Sequence, residues 1–411
     1  MDGFSFSSTR VPAAVLLGLL LIVAAARAQD PASGHDMANM PGMPRDGADA
    51  GGWHWMTDAN VFFGFNDQER KFRDFRSWES QNWMMLEGTH ALGSGSFRFF
   101  SMTAAEPWTM QKIGVPQVFQ TGETFRNAPL KDYQHPHDLF MGLGTDYTRR
   151  VGRAMYTIGA DLVGSPTLGP EAFMHRPSAY GNPQAPLSHH YLDSTHITPG
   201  VLRGVVRVGK WGVGTSWFRG EEPDENRKDI DLGRLDSYAL QLTWATGPWS
   251  AQASASRLHN PEAVTPYDAD KLTGSVAYTD ERRRLNAVMF GFGQKREIHG
   301  NFEAYLLEAT VRMSTRGWLY TRGESVDKDI LDAGFHPRGV FHRHRHSQVD
   351  AFTLGYVYDV LRTARGNVGF GADVTGYLVP PNLQDSYGSP SSYHFFIHYS
   401  LRGLSMMTMA H

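Results

Sequence analysis

The stretch Gln134–His196 begins with His135-Pro136-His137-Asp138 and runs through two segments of strand character, Leu139–Thr148 and Ala154–Val163. It ends in a loop carrying Met174-His175-Arg176, Ser188-His189-His190 and Asp193-Ser194-Thr195-His196. Only Arg149–Arg153 joins the two segments, whereas both outer flanks are long, polar and rich in Pro, Gly and His. A tight turn at one end and a long decorated loop at the other is the hairpin unit of a transmembrane β-barrel. Repeated along the chain, the unit gives an all-β, antiparallel barrel of about 16 strands, within a range of about 14–18.

Period-two alternation supports this reading outside that stretch, because a strand with unlike faces places successive side chains on opposite sides. In Asp236–Trp244, Tyr238, Leu240, Leu242 and Trp244 share one face, and Ser237, Ala239, Gln241 and Thr243 the other. Ala351–Val360 sets Phe352, Leu354, Tyr356, Tyr358 and Val360 against Ala351, Thr353, Gly355, Val357 and Asp359. Ala304–Arg312 sets Tyr305, Leu307, Ala309 and Val311 against Glu308, Thr310 and Arg312. Tyr393–Arg402 sets Tyr393, Phe395, Ile397, Tyr399 and Leu401 against His394, His398, Ser400 and Arg402. A soluble sandwich buries the apolar side, whereas a barrel in lipid turns it outward and lines its interior with the polar one.

Link lengths separate the two. Short links are expected at Gly93–Ser96, Arg149–Arg153, Val208–Lys210, Thr246–Pro248, Asp280–Arg283, Ser314–Arg316 and Arg362–Gly366. Long ones are expected at Asn66–Trp78, Ala105–Asp138, Gly164–His196, Arg219–Arg234, Leu258–Asp270, Gly293–Glu303, Ser325–Ser347 and Val379–Ser392. Strict alternation of the two, with both chain ends on the short-turn side, is the pattern of an outer-membrane barrel with periplasmic termini and long extracellular loops.

The N-terminus carries Arg10, the apolar run Val11–Ala26 and Ala26-Arg27-Ala28, so residues 1–28 read as a secretory signal peptide; the alternative is an uncleaved anchor. Residues 29–52 read as a flexible tether, 53–402 as the barrel and 403–411 as a tail. No later window holds a run of apolar residues long enough for a spanning helix, and the mean hydropathy of −0.39 argues against a helical bundle. Cysteine is absent, which removes disulfides and thiolate metal sites. The net charge of −3 is spread without a basic block, so nucleic acid is not an expected partner. Lipid, small solutes or metal ions are, and the chain could assemble as a homo-oligomer.

Histidine is concentrated where loops are expected: twelve of eighteen, namely His135, His137, His175, His189, His190, His196, His259, His299, His336, His342, His344 and His346. Neutral imidazole is the commonest ligand for borderline divalent metals. His135, His137, Asp138, His175, His189, His190, Asp193 and His196 flank one hairpin and suit zinc or copper by ligand type. The alternative is that Pro136, Pro166, Pro170, Pro177, Pro183 and Pro186 mark a folded, plug-like loop in which His and Asp satisfy buried groups. His342, His344 and His346 form a second cluster, interleaved with Arg343 and Arg345, which weaken cation binding; its alternative is a solvated or anion-attracting loop tip. His35, Met37, Met40 and Met43 in the tether, and Met406, Met407 and Met409 in the tail, offer soft thioethers that select Cu(I). No cofactor is required, with copper or zinc as candidate ions.

By parity, Asp161, Arg203, Arg207, Glu308, Arg312, Asp373, His394 and His398 point into the barrel, where charged rings set ion preference or pair with one another to fill the lumen. An outer-membrane hydrolase using Asp193, Ser194 and His196 is a further alternative, opposed by the fact that neighbours on one strand face opposite ways. A structural or adhesion barrel with a plugged lumen is another.

On these residues the chain resembles the bacterial outer-membrane porin-type barrels. His135-Pro136-His137-Asp138-Leu139-Phe140-Met141, Phe173-Met174-His175-Arg176-Pro177-Ser178 and Asp193-Ser194-Thr195-His196-Ile197 resemble a group of uncharacterised outer-membrane proteins. The tether is similar in kind to that of copper resistance protein B, which implies periplasmic copper handling. Together these readings lead to the expectation of a non-enzymatic, porin-like channel, with metal transport or resistance as its role.

Overall fold

The computed structural model describes residues 52–263, 266–331, 346–363 and 366–401. The strands are β1 (Trp53–Arg70), β2 (Arg73–Glu79), β3 (Asn82–Leu92), β4 (Gly95–Thr103), β5 (Val115–Phe125), β6 (Ala128–Gln134), β7 (Phe140–Val151), β8 (Ala154–Gly164), β9 (Thr198–Val208) and β10 (Trp211–Phe218). They continue with β11 (Ser237–Thr246), β12 (Trp249–Leu258), β13 (Ala269–Thr279), β14 (Leu285–Glu297), β15 (Gly300–Arg312), β16 (Gly317–Lys328), β17 (Ser347–Thr363), β18 (Gly366–Leu378) and β19 (Ser391–Ser400). Three single-turn helices, α1 (Glu106–Thr109), α2 (His189–Leu192) and α3 (Gln384–Tyr387), sit in the links.

Every strand except β5 and β6 belongs to one antiparallel sheet that closes where β1 pairs with β19, Asn60 opposite Ser400. The long β1 pairs through its first half with β3 and through its second with β2, so β2 and β3 form one stave broken at Ser80-Gln81. The result is a closed sixteen-stranded barrel. Closure leaves no open edge, as a sheet in hydrocarbon requires.

Two of the expected long links are corrected. Asn66–Trp78 is mostly strand: β1 and β2 pair out to Arg70 and Arg73, with only Lys71-Phe72 between them. Gly293–Glu303 is likewise strand, β14 and β15 pairing out to Glu297 and Gly300. Both hairpins carry polar residues on both faces near their tips, so the alternation that marks a strand is missing there. The remaining long links lie at the same end of the barrel, and β1 starts and β19 stops at the other.

The outward face is apolar. Ile158, Trp217, Tyr238, Leu240 and Phe395 are each more than half exposed. Leaving such side chains in water forfeits about 1.5–3 kcal/mol apiece, so this surface fits lipid. Trp211 faces Trp244 and Trp249 faces Tyr278 near the short-turn end, while Trp78, Trp217 and Tyr238 lie nearer the other, an arrangement of aromatic girdles.

The interior differs from a simple polar lumen. The β5–β6 hairpin, in the link after β4, turns at Arg126-Asn127 with φ of 55° and 59°, and Glu225 accepts both backbone N–H groups at 2.8 and 3.2 Å. Its Val118 and Phe119 are fully buried against Val326, Val349, Ala351, Leu383 and Tyr387, so an apolar core lies inside the barrel at the loop end.

Candidate functional site in the barrel lumen

Residues 165–197, between β8 and β9, are almost continuously buried because they fold into the barrel as a plug. Near their start, Thr167 N–H donates to Ser216 Oγ at 3.0 Å, and Gly169 N–H to Ser254 Oγ at 2.8 Å. The middle crosses to the opposite wall. Arg176 Nε donates to Glu308 at 2.9 Å and its Nη1 to Asp193 at 2.5 Å, while Arg322 Nε donates to the same Glu308 at 3.0 Å and its Nη1 to the Gln184 carbonyl at 2.8 Å. Tyr180 Oη donates to Ser400 Oγ at 2.9 Å, and Ser188 N–H and Oγ–H both donate to Glu324. Asp193 holds the plug's own shape, accepting from Arg176, from Phe173 N–H and from His189. Burial, which alone would raise it, is outweighed by Arg176, so the Asp193 carboxyl lies below the usual range.

Two segments meet above this contact and bring five imidazoles into a row. Ring centroids are 6.4 Å apart for His135–His137, 5.5 Å for His137–His196, 5.2 Å for His196–His189 and 5.5 Å for His189–His190. His135 and His137 come from the connector after β6, and the other three from the plug. Each central ring has its Nδ1 anchored: His137 on Glu106 at 2.9 Å, His189 on Asp193 Oδ1 at 2.8 Å, and His196 on the Asp193 carbonyl at 2.8 Å. His137 Nε2 and His196 Nε2 are buried and have no hydrogen-bond partner. Burial pushes His189 and His190 down to about 4, and His196 down as well, so these rings are neutral; His137 differs because Glu106 outweighs burial and raises it.

At one end of the row, His135 Nε2 contacts Glu123 at 2.7 Å. At the other, His190 Nδ1 lies 3.6 Å from Glu222 and 3.9 Å from Glu262, and one ligand atom from each of these three residues falls within 4.8 Å of the others. Glu262 is already engaged, since Lys295 Nζ donates to both of its oxygens at 3.1 Å.

The expected metal set is therefore divided. His137, His189, His190 and His196 meet, with His135 beside them, but Asp138 turns to Arg227 at 3.5 Å, and burial lifts its carboxyl to about 7 in spite of that cation. His175 packs on the Trp83 ring at 4.6 Å, outside the row. The sequence cluster counted Asp193 among the ligands, whereas here it anchors His189, four residues before it; Glu106, Glu222 and Glu262 were not among the sequence candidates. Those three come from separate links, and no spacing singles them out. His346 stacks on Phe302 at 4.3 Å, while His342, His344, the tether residues His35, Met37, Met40 and Met43, and the tail lie outside the described residues.

Of the eight residues placed inward by parity, several are engaged. Asp161 pairs with Arg203, Glu308 with Arg176 and Arg322, and Asp373 with His394 at 3.0 Å and with Tyr320 Oη at 2.8 Å. His398 Nε2 donates to Asn60 Oδ1 at 2.6 Å and its ring stacks on Phe62, and Arg312 donates to the Arg282 carbonyl. Arg207 has no ion pair among the described residues. Ser194 Oγ accepts from Lys271, and His196 turns its Nδ1 to a backbone carbonyl, so Asp193, Ser194 and His196 form no nucleophile relay.

No family model matches this sequence, and no curated protein matches it. Among solved structures, the chain is similar to the outer membrane channel DcaP of Acinetobacter baumannii, with a TM-score of 0.51 and 10% identity over 85% of this chain and 97% of that one. That likeness shows the fold, a porin-type barrel. The anion-selective porin from Comamonas acidovorans aligns with a TM-score of 0.49 and 14% identity, over 85% of this chain and all of that one.

Proposed function

We propose that this protein is a bacterial outer-membrane channel of porin type, held closed by its own 165–197 segment, with its termini in the periplasm. The observation that carries the reading is the uneven filling of the lumen. Against β15–β19 the plug reaches nearly to the short-turn end, whereas the inner faces of β8, β9 and β11, at Thr157, Arg203, Val205, Arg207 and Thr243, are only part-buried. A polar vestibule thus leads from the short-turn end to the plug, and movement of the plug would open it to small polar solutes.

A second reading, a structural barrel that never opens, is favoured by the buried ion pairs that dock the plug. Planar-bilayer recording separates the two. Replacing residues 174–186 by a short Gly/Ser linker should turn a barrel of low conductance into one with steps several-fold larger. A shortened barrel that still folds, shown by heat-modifiable migration, yet conducts no more than the parent would leave the structural reading standing.

A further inference from the structure

His190, at the end of the histidine row, is the plug residue whose surroundings packing leaves unexplained. Its ring lies against the backbone of β5: a Cβ built on Gly122, where φ is 137°, would fall 2.5 Å from both Cε1 and Nε2, so the close approach needs the glycine and fixes which way the ring points. Nδ1 then faces two carboxylates, Glu222 at 3.6 Å and Glu262 at 3.9 Å, and is buried without a hydrogen-bond partner. Buried polar atoms are normally paired, so this one asks for an occupant. Burial pushes the ring down to about 4, so it is neutral and does not itself serve as the cation between two acids.

The two carboxylates are brought together by main chain. Glu222 stands in the link between β10 and β11 and Glu262 in that between β12 and β13. Glu222 N–H donates to the Pro261 carbonyl at 3.0 Å, and His259 N–H to Ser237 Oγ at 2.9 Å, so the two links are fastened to each other and to the barrel rim. The Glu222 side chain accepts no hydrogen bond among the described residues, and burial, followed by the charges of Glu123 and Glu262, raises its carboxyl well above the usual range. Lys295 Nζ bonds both Glu262 oxygens at 3.1 Å, yet each oxygen keeps a further lone pair, and Lys295 is also paired with Glu297 at 3.2 Å. Its charge is thereby balanced by Glu297, Lys271 donates to Ser194 Oγ at 3.3 Å, and Glu222 and Glu262 are left to face His190.

We propose that His190 Nδ1, Glu222 and Glu262 bind one first-row divalent transition-metal ion, with Zn²⁺ the best matched. One ligand atom from each residue lies within 4.8 Å of the other two. A tetrahedral ion at metal–ligand distances of about 2.0–2.2 Å holds its ligand atoms about 3.3–3.6 Å apart, so the 3.6 Å between His190 and Glu222 already fits, and rotation of the glutamate side chains closes the rest. One imidazole nitrogen, two carboxylates and no thiolate suit Zn²⁺ by ligand type, whereas Mg²⁺ and Ca²⁺ take oxygen throughout. Two carboxylate charges match the two charges of the ion. His190 belongs to the plug and the glutamates to two other links, so the ion would pin the plug to the loop end of the barrel. The site goes beyond the channel reading and stands whether or not the barrel conducts.

Equilibrium dialysis of the full-length, detergent-folded barrel against Zn²⁺, after chelator treatment, tests the assignment. The tether and the other histidines offer Zn²⁺ ligands of their own, so the readout is the ion that a variant loses relative to the parent. Glu222→Gln keeps the size of the side chain and breaks no hydrogen bond to a described residue; it should lose one Zn²⁺ per barrel while heat-modifiable migration and the β-sheet dichroism persist. His190→Gln should lose the same ion, and the two changes together should lose no more than either alone. His137→Gln with His196→Gln, in the row but outside the set, should keep it. Zn²⁺ should also slow proteolysis within 165–197 in the parent and leave the rate in Glu222→Gln unchanged. If folded Glu222→Gln and His190→Gln barrels bind as many Zn²⁺ ions as the parent, or if the row variant loses the ion and Glu222→Gln does not, the ion sits elsewhere and the proposal falls.

Discussion

The two walls of this barrel are built from the same kind of strand and have opposite interiors. Along β15, β16 and β19 the inner side chains include buried charges and rings, Glu308, Arg322, Glu324, Tyr320, His394 and His398, and most of them touch the plug. Along β8, β9 and β11 the inner side chains nearer the short turns are small or polar and part-buried, and the plug meets that side of the barrel through its first residues, at Ser216, Gln241 and Ser254, and through Ile197, which packs with Val163 at the loop end of β8. One wall is a docking face and the other a vestibule. Parity along a strand tells which side chains point inward, and the charge they carry does not tell whether they meet water or protein.

The sharpest way to break this contrast is at Glu308. Its carboxylate lies between Arg176 of the plug and Arg322 of the wall, all three side chains being nearly inaccessible. Glu308→Ala leaves two buried guanidiniums without their shared partner, a change that costs about 3–5 kcal/mol when a buried ion pair loses one member. Limited proteolysis should then cut within 165–197 in a barrel that is still closed and heat-modifiable. Protection equal to that of the parent would mean the ion pairs do not hold the plug.

Gly181 tests the same wall by shape. A Cβ built there would lie 2.7 Å from Cδ1 of the Tyr320 ring and 3.2 Å from a Val357 methyl. Gly181→Ala should weaken plug docking by about 1–3 kcal/mol, the usual range for overpacking, and should appear as faster amide exchange across 173–183. Exchange no faster than in the parent would show that Tyr320 has room to give. Tyr180→Phe removes only the hydrogen bond to Ser400, and about 1 kcal/mol of docking is the expected loss in the same measurement.

How far the sequence reaches follows from these same residues. Alternation in Ala351–Val360 and Tyr393–Arg402 places Tyr356 and Phe395 outward and His394 and His398 inward, because a strand's period is fixed by its own geometry. The short links were legible because a two-stranded turn leaves few residues between strands. The hairpin tips at Lys71-Phe72 and Ile298-His299 were not, since both faces of those strands carry polar residues and their pairing shows only in three dimensions. The histidine row was half legible. Two sequence neighbourhoods rich in His could be assigned to adjacent links, but Glu106 stands 31 residues before His137 in the same link, and Glu222 and Glu262 reach the row from links whose position depends on barrel closure. Asp138 and His175, written beside the other row residues in sequence, turn away from them to Arg227 and Trp83.

The smallest expected effect lies on the opposite wall. Arg207 points inward from β9, opposite Gly212 of β10, and has no ion-pair partner among the described residues. Its guanidinium borders the vestibule rather than the plug, so Arg207→Glu removes no docking contact and should leave the plug as firmly docked as in the parent. Plug protection from proteolysis should match the parent. The charge itself should matter where solute passes: in the barrel with residues 174–186 shortened, reversing it should move the reversal potential toward cation selectivity, because charged side chains lining a pore set its ion preference. The displacement should shrink at high salt, where an exposed charge is screened within a few ångströms. If Arg207→Glu instead loosens the plug as much as Glu308→Ala does, the two walls do not divide docking from passage.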